Sequence, residues 1–253
     1  MNLKSMFLIG FAVAMMSTTN VSAQEDSYMF NHLAIGAELG TTGFGLEVAT
    51  PVSRYATLRT GFTTLPSISV KGDVDYTQNH KEHTTTVKVN THVTDWKLLA
   101  DIYPGKNTSF HFTTGFYVGK SEFLTGENTK PLEDLEPGEG LEIGNEVVTP
   151  DENGIAHIRA KVAGFKPYLG IGFGRPVSSK KVSVAFDMGV QLWGTPKVEA
   201  YSPANTILGE TEGNWVKVGK TDVKDDDVNE ALDKISSIKV YPVLSLRVYF
   251  NAF

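Results

Sequence analysis

The stretch KPYLGIGFGRPVSSKKVSVAFDMGVQLWG, residues 166–194, decides how the rest of the chain is read. Every second residue from Pro167 is apolar (Pro167, Leu169, Ile171, Phe173), and Tyr168, Gly170, Gly172 and Gly174 lie between them. After a short polar break the pattern resumes: Val182, Val184, Phe186, Met188, Val190 and Leu192 alternate with Ser183, Ala185, Asp187, Gly189 and Gln191. A period of two is the signature of a β-strand whose faces meet different surroundings. The pair therefore reads as a hairpin with one apolar face and one small or polar face. Two folds write that pattern: a soluble β-structure with its apolar face inside, and a barrel with its apolar face outside, in lipid.

Six further segments carry the same alternation. They are residues 32–40 (apolar Leu33, Ile35, Ala37, Leu39), 44–51 (Phe44, Leu46, Val48), 55–65 (Ala56, Leu58, Thr60, Phe62), 93–103 (Trp96, Leu98, Ala100, Ile102), 109–120 (Phe110, Phe112, Phe116, Val118) and 238–251 (Val240, Pro242, Leu244, Leu246, Val248, Phe250). Eight strands are thus expected. The connections at 52–54, 104–108 and 175–181 are all short. Those at 66–92, 121–160 and 195–237 are all long, and of the set at that end only 41–43 is short. Sorting by parity puts short turns at one end and long connections at the other, which is the asymmetry of an outer-membrane barrel with short periplasmic turns and long extracellular loops. A soluble sandwich has no reason to sort its connections this way.

The ends set the compartment. Lys4, the apolar run from Met6 to Met16 and the small-residue site Val21-Ser22-Ala23 read as a secretory signal peptide over residues 1–23. The run is shorter than the roughly 20 residues that a helix needs to cross a bilayer. Residues 24–253 then form one barrel domain. Lys4 is the leader's only charge, so the mature chain is one unit more negative than the full chain's −6, which argues against nucleic acid as a partner. With no cysteine, no disulfide framework is available.

The off-phase residues are Glu38, Glu47, Arg59, Lys97, Asp101, His111, Lys166, Asp187 and Arg247, among glycines. In an eight-stranded membrane barrel this face is the lumen, just wide enough for side chains to fill. Four carboxylates (Glu38, Glu47, Asp101, Asp187) against four cations (Arg59, Lys97, Lys166, Arg247) predict an internal salt-bridge network, because unpaired buried charge is costly. Gly36, Gly45, Gly61, Gly115, Gly170, Gly172 and Gly189 are expected to make room for the long basic side chains. Phe44, Phe62, Trp96, Phe110, Phe173, Trp193 and Phe250 sit near strand ends and are expected to form a lipid-facing aromatic girdle.

On the stretches Tyr168–Gly174, Phe186–Val190 and Tyr241–Leu246, the chain resembles the small eight-stranded outer-membrane barrels, the OmpA-like and OmpX-like proteins, over residues 30–253. The resemblance implies an all-β, antiparallel, up-and-down transmembrane barrel in the cell outer membrane, with a carboxylate and basic network in its lumen. It implies architecture more than activity. One feature departs from the pattern: Phe253 is out of step with Phe250 and Val248, whereas a terminal insertion signal is usually in phase with the outward aromatics. No peptidoglycan-binding domain is expected after the barrel.

The expected role is structural or interactive: envelope integrity, or binding of an extracellular protein or surface ligand through the outer loops. Lipid and lipopolysaccharide are the surrounding partners, and the chain is expected to be monomeric and non-enzymatic, without cofactor or metal. A narrow pore for small solutes or ions and a secreted lipocalin-like binder are the alternatives. Several features bear on chemistry. The acidic 121–160 region reads as a solvated loop, with divalent-cation bridging to lipopolysaccharide as the sharper reading. His80 and His83 lack a further fixed ligand for a metal. His92 with Asp95 is the one pairing with the makings of a catalytic site. Residues 66–92 are read as a loop or as a hairpin that continues the third and fourth strands past a β-bulge. Val228, Ala231, Leu232 and Ile235 repeat at helical spacing after a run of aspartates, which predicts a short helix lying across the barrel mouth.

Overall fold

The structure is a computed structural model; it describes residues 32–78, 81–120, 122–132, 141–143, 146–178, 180–201, 215–219 and 226–251. The signal peptide and Phe253 lie outside the described residues, as do His80 and 220–225. Strands in chain order are β1 (Ala34–Gly40), β2 (Gly43–Ser53), β3 (Ala56–Gln78), β4 (Lys81–Ile102), β5 (Phe110–Gly119), β6 (Glu122–Asn128), β7 (Leu141–Ile143), β8 (Glu146–Val148), β9 (His157–Lys161), β10 (Phe165–Phe173), β11 (Val182–Leu192), β12 (Lys197–Tyr201), β13 (Trp215–Lys217) and β14 (Val240–Asn251). Among the described residues one helix, α1 (Asp226–Ser237), precedes β14.

Eight strands close into a ring. The order is β4-β3-β2-β1-β14-β11-β10-β5, and β5 pairs back onto β4 from Asp95↔Gly119 to Ile102↔Phe112. Every pairing in the ring is antiparallel. These are the eight sequence segments, and β1 meets β14 at Ala34↔Asn251, beside the short turns. Closure removes the free edges that an open sheet would expose. The β10–β11 turn starts at Gly174, whose φ of 109° favours glycine, and there Arg175 ties down the short-turn end. Its guanidinium donates to the carbonyls of Thr108 (2.9 Å) and Gly105 (3.0 Å) and lies 4.0 Å from the Tyr103 ring centre.

The long connections are not plain loops. β3 and β4 run on as a hairpin to Gln78 and Lys81, with a register shift between Leu65 and Ile68 that marks the bulge. β6, β9, β12 and β13 continue the sheet in the order β4-β6-β9-β12-β13. By sequence alone 121–160 and 195–237 read as long connections. These strands are only three to seven residues long and lie among acids and turn residues, so their alternation is too brief to stand out.

The pairing order explains their placement. β6 follows β5, β9 leads into β10, and β12 follows β11, so the neighbours β3-β4-β6-β9-β12 repeat the ring's β3-β4-β5-β10-β11. Half of the ring wall thus rises past the rim as a curved shell. β4 keeps its alternation through rim and shell, so the odd residues Val87 and Val89 continue the lumen side and the even residues Lys88, Asn90 and His92 continue the outer side. On the inner side Ala160, Val198 and Ala200 are buried with Val148 and Val218, and Leu232 and Ile235 of α1 pack against them. The helix therefore sits inside the shell at the ring's mouth, held by apolar burial.

Candidate functional site

The ring interior is the candidate site, because the ionised side chains converge there. Glu38, Glu47, Arg59, Lys97, Asp101, Lys166, Asp187 and Arg247 are each at most 4% exposed. Arg59 is the hub. Its Nη2 donates to Asp101 (2.7 Å) and Asp187 (2.9 Å), and its Nη1 to Glu47 at 3.4 Å. Arg247 pairs with Asp187 and lies 3.5 Å from Glu47. Lys97 bridges Glu38 and Glu47. Tyr249 donates its hydroxyl to Glu47 and accepts a bond from Arg247 at 2.7 Å. Thr113 donates to Asp101 at 2.8 Å.

Two members were absent from the network expected from the sequence. Asp95 is 1% exposed and accepts from Lys166 at 2.7 Å. His111 is fully buried, with Nε2 at 2.9 Å from Asp187. Among the described residues five interior carboxylates thus meet four cations and a histidine. The alternation of β4 carried the missing signal: Asp95 shares a face with Lys97, Leu99 and Asp101. The same alternation separates His92 from Asp95. His92 is on the outer side, 3.2 Å from the Thr94 hydroxyl, while Asp95 points inward, so the pairing considered for catalysis does not form.

Apolar clusters share the interior with the charges. Ala34, Ala49, Ala185 and Tyr249 cluster with Val177 near the short turns. A second apolar cluster, Leu99, Tyr117, Tyr168 and Val243, packs beside the charge network, with Leu99 opposite Arg59 and Tyr117 opposite Lys97. Toward the shell, Trp193 stacks on Tyr241 (4.5 Å between centres, 3° between planes) and donates to Gln191 at 2.9 Å. This corrects the girdle: Trp193 is 4% exposed and faces inward, one step out of phase with Leu192, because its indole N–H finds a polar partner inside.

Phe44, Phe62, Phe173 and Phe250 are outward and exposed, and Trp96 and Phe110 are outward and half-buried against neighbouring rings. The glycines also serve a different purpose from the one expected. A Cβ at Gly36 would lie 2.5 Å from the Tyr249 ring, and one at Gly170 or Gly189 would lie 2.5 Å from the Tyr168 hydroxyl oxygen. These three make room for interior tyrosines rather than for the basic side chains, Gly172 lies against Asp187 and His111, and Gly45, Gly61 and Gly115 lie against the neighbouring strand's backbone.

Between β8 and β9, outside the ring, Asp151 organises a turn. Its Oδ1 accepts from the backbone N–H of Asn153 (2.9 Å) and Ile155 (3.0 Å), and Oδ2 lies 3.1 Å from His157 Nε2. The Ile155 N–H, first, and then the His157 and Asn153 contacts hold this carboxyl below its ordinary value of 3.8. A depressed pKa contributes stability above the unfolded value and loses it as pH falls through the folded one. Protection of the Ile155 amide, taken against its intrinsic exchange rate at each pH, should therefore be full at neutral pH and be lost only as the carboxyl titrates, below its ordinary value of 3.8, and Asp151→Ala should abolish that protection at neutral pH.

Fold and interior together define an all-β chain: a closed ring of eight antiparallel strands around a buried charge network. No family model matches the chain, and no curated protein does. Among solved structures, the chain is similar to the crystal structure of Acinetobacter baumannii CarO2 (21% identity, 87% of this chain and 98% of that one, TM-score 0.48). It is also similar to that of Acinetobacter baumannii CarO (21% identity, 89% and 99%, TM-score 0.47).

Proposed function

We propose that the ring is a transmembrane barrel of the outer membrane, related in design to the small OmpA-like barrels. Its role is structural or interactive: it strengthens the envelope and presents the shell to partners outside the cell. One observation carries this reading, the inversion of polarity. Leu39, Leu46 and Phe62 are 67%, 69% and 63% exposed on the outer side of the ring, while Arg59 and Arg247 are at most 1% exposed inside it. A contiguous apolar surface of this kind marks a membrane contact rather than a water contact. On β14 the outward apolar run from Val240 to Phe250 spans about 33 Å at 3.3 Å per residue, or roughly 25 Å along the axis at the usual strand tilt, the height of an outer-membrane apolar band. Aromatic rings gather at both ends of the band: Phe110, Phe173 and Phe250 near the short turns, and Phe44, Phe62, Trp96, Phe116 and Phe165 near the shell.

A lumen crossed by paired charges and covered by α1 favours a closed barrel over a pore. Tryptophan fluorescence in vesicles of brominated phospholipid tests the setting. Wild type should be quenched, Trp96→Phe should lose most of that quenching, and Trp193→Phe should keep it, since Trp193 faces the lumen. Recovery of the chain from periplasm without detergent, or large steady conductance in planar bilayers, would overturn the barrel and the closed lumen respectively.

A further inference from the structure

The outer side of the shell continues the outer side of the ring, yet its chemistry changes abruptly at the rim. Below it on β4 and β5 stand Trp96 and Val118; above it on the same sides stand His92, Asn90, Lys88 and Lys120. A cavity of about 420 Å³ opens there, lined by Ser69, Lys88, Asn90, His92, Lys120 and Thr125 among others. Two lysine pairs sit directly opposite each other on neighbouring strands of this face: Lys71↔Lys88 on β3 and β4, and Lys161↔Lys197 on β9 and β12. Like charges in direct cross-strand register destabilise a sheet. Their carboxylate neighbours compensate in part: Lys88 lies 3.8 Å from Glu127, and Lys161 lies 3.3 Å from Glu199, which Arg159 already holds at 2.7 Å. Among the described side chains of this face, seven cations (Lys71, Lys88, Lys120, Arg159, Lys161, Lys197, Lys217) and His157 meet five acids (Asp73, Glu122, Glu127, Asp151, Glu199), on a chain whose net charge is −6.

We propose that this face is a binding site for the phosphorylated sugar headgroup of an outer-leaflet glycolipid, with the phosphates neutralising the opposed lysines and a headgroup sugar entering the Ser69–Lys120 cavity. The occupant is a lipid rather than a free anion because the site and the apolar band share one surface: acyl chains of a molecule held here would run down over Trp96, Val118 and Phe165. The hydroxyl and amide groups of Ser69, Asn90 and Thr125 supply the hydrogen bonding that a sugar requires, and the ammonium groups supply point charges for phosphate.

The inference rests on the membrane reading above, and the experiment separates the two. Full-length protein in detergent micelles is titrated with bisphosphorylated lipid A and with the same lipid A after enzymatic dephosphorylation, read by native mass spectrometry. Wild type should prefer the phosphorylated form by at least about tenfold. K71Q/K88Q/K161Q/K197Q should lose that preference while unfolding in urea no earlier than wild type, because it removes two repulsive pairs. Should that variant fail to fold, K88Q/K120Q should lower the preference at the rim cavity alone. Equal binding of both lipids, an undiminished preference in a folded variant, or release of lipid A by millimolar inorganic phosphate would overturn the proposal. A chain recovered from water without detergent would instead overturn the membrane reading.

Discussion

Replacing Arg59 with methionine should cost about 3–5 kcal/mol of unfolding free energy, the largest effect expected of any single substitution proposed for this protein. The magnitude follows from what is left behind. Asp101 and Asp187 accept the two short bonds of one guanidinium nitrogen, at 2.7 and 2.9 Å, and Glu47 accepts the third contact. All three carboxylates are nearly inaccessible to water. Methionine fills much of the volume but leaves excess negative charge in a closed space, where desolvation is not repaid. Urea unfolding in phospholipid vesicles measures the loss. Adding Asp101→Asn to Arg59→Met should recover part of it, because one of the abandoned charges is then gone. A double variant no more stable than the single one would show that Arg59 acts by packing and not by charge.

The second large effect tests the opposite surface. Leu246→Arg should cost about 2–4 kcal/mol in vesicles if its position is near the bilayer midplane. Leu246 is 50% exposed in the middle of β14, between Leu39 on β1 and Phe186 on β11, so an arginine there meets only apolar neighbours. Ser245→Ala, one residue away and facing inward, should cost far less, since it exposes no charge to lipid. If Leu246→Arg unfolds at the wild-type urea concentration, the outward face does not contact hydrocarbon. The pair of experiments therefore probes both halves of the inversion, charge held inside at Arg59 and charge refused outside at Leu246.

Much of the ring was legible in the sequence because strand alternation is a local property. Backbone geometry forces neighbouring side chains to opposite faces, so Glu38, Glu47, Arg59 and Arg247 were bound to share a face whatever they paired with. Where that rule was relaxed the reading went astray. Trp193 suits a girdle as an aromatic at a strand end, although its place just past β11 puts it in phase with Gln191 and not with Leu192. Asp95 suits a catalytic pairing with His92 by residue type, although β4 places it on the inner face beside Lys97. In both places phase, not residue type, decides the face.

By itself, then, the sequence determined which eight segments are strands, which side chains share a face, and that the connections are short at one end and long at the other. Only the tertiary structure decided who meets whom. Arg59 reaches Asp187 across 128 residues of chain because ring closure brings β3 and β11 to face each other over the lumen. No local pattern encodes that distance, since it depends on strand number and register together. The shell was likewise decided in three dimensions. β6, β9 and β12 are too brief to hold an alternation of their own. They become strands because β4 runs past the rim with an unpaired edge, and backbone groups on such an edge must find partners.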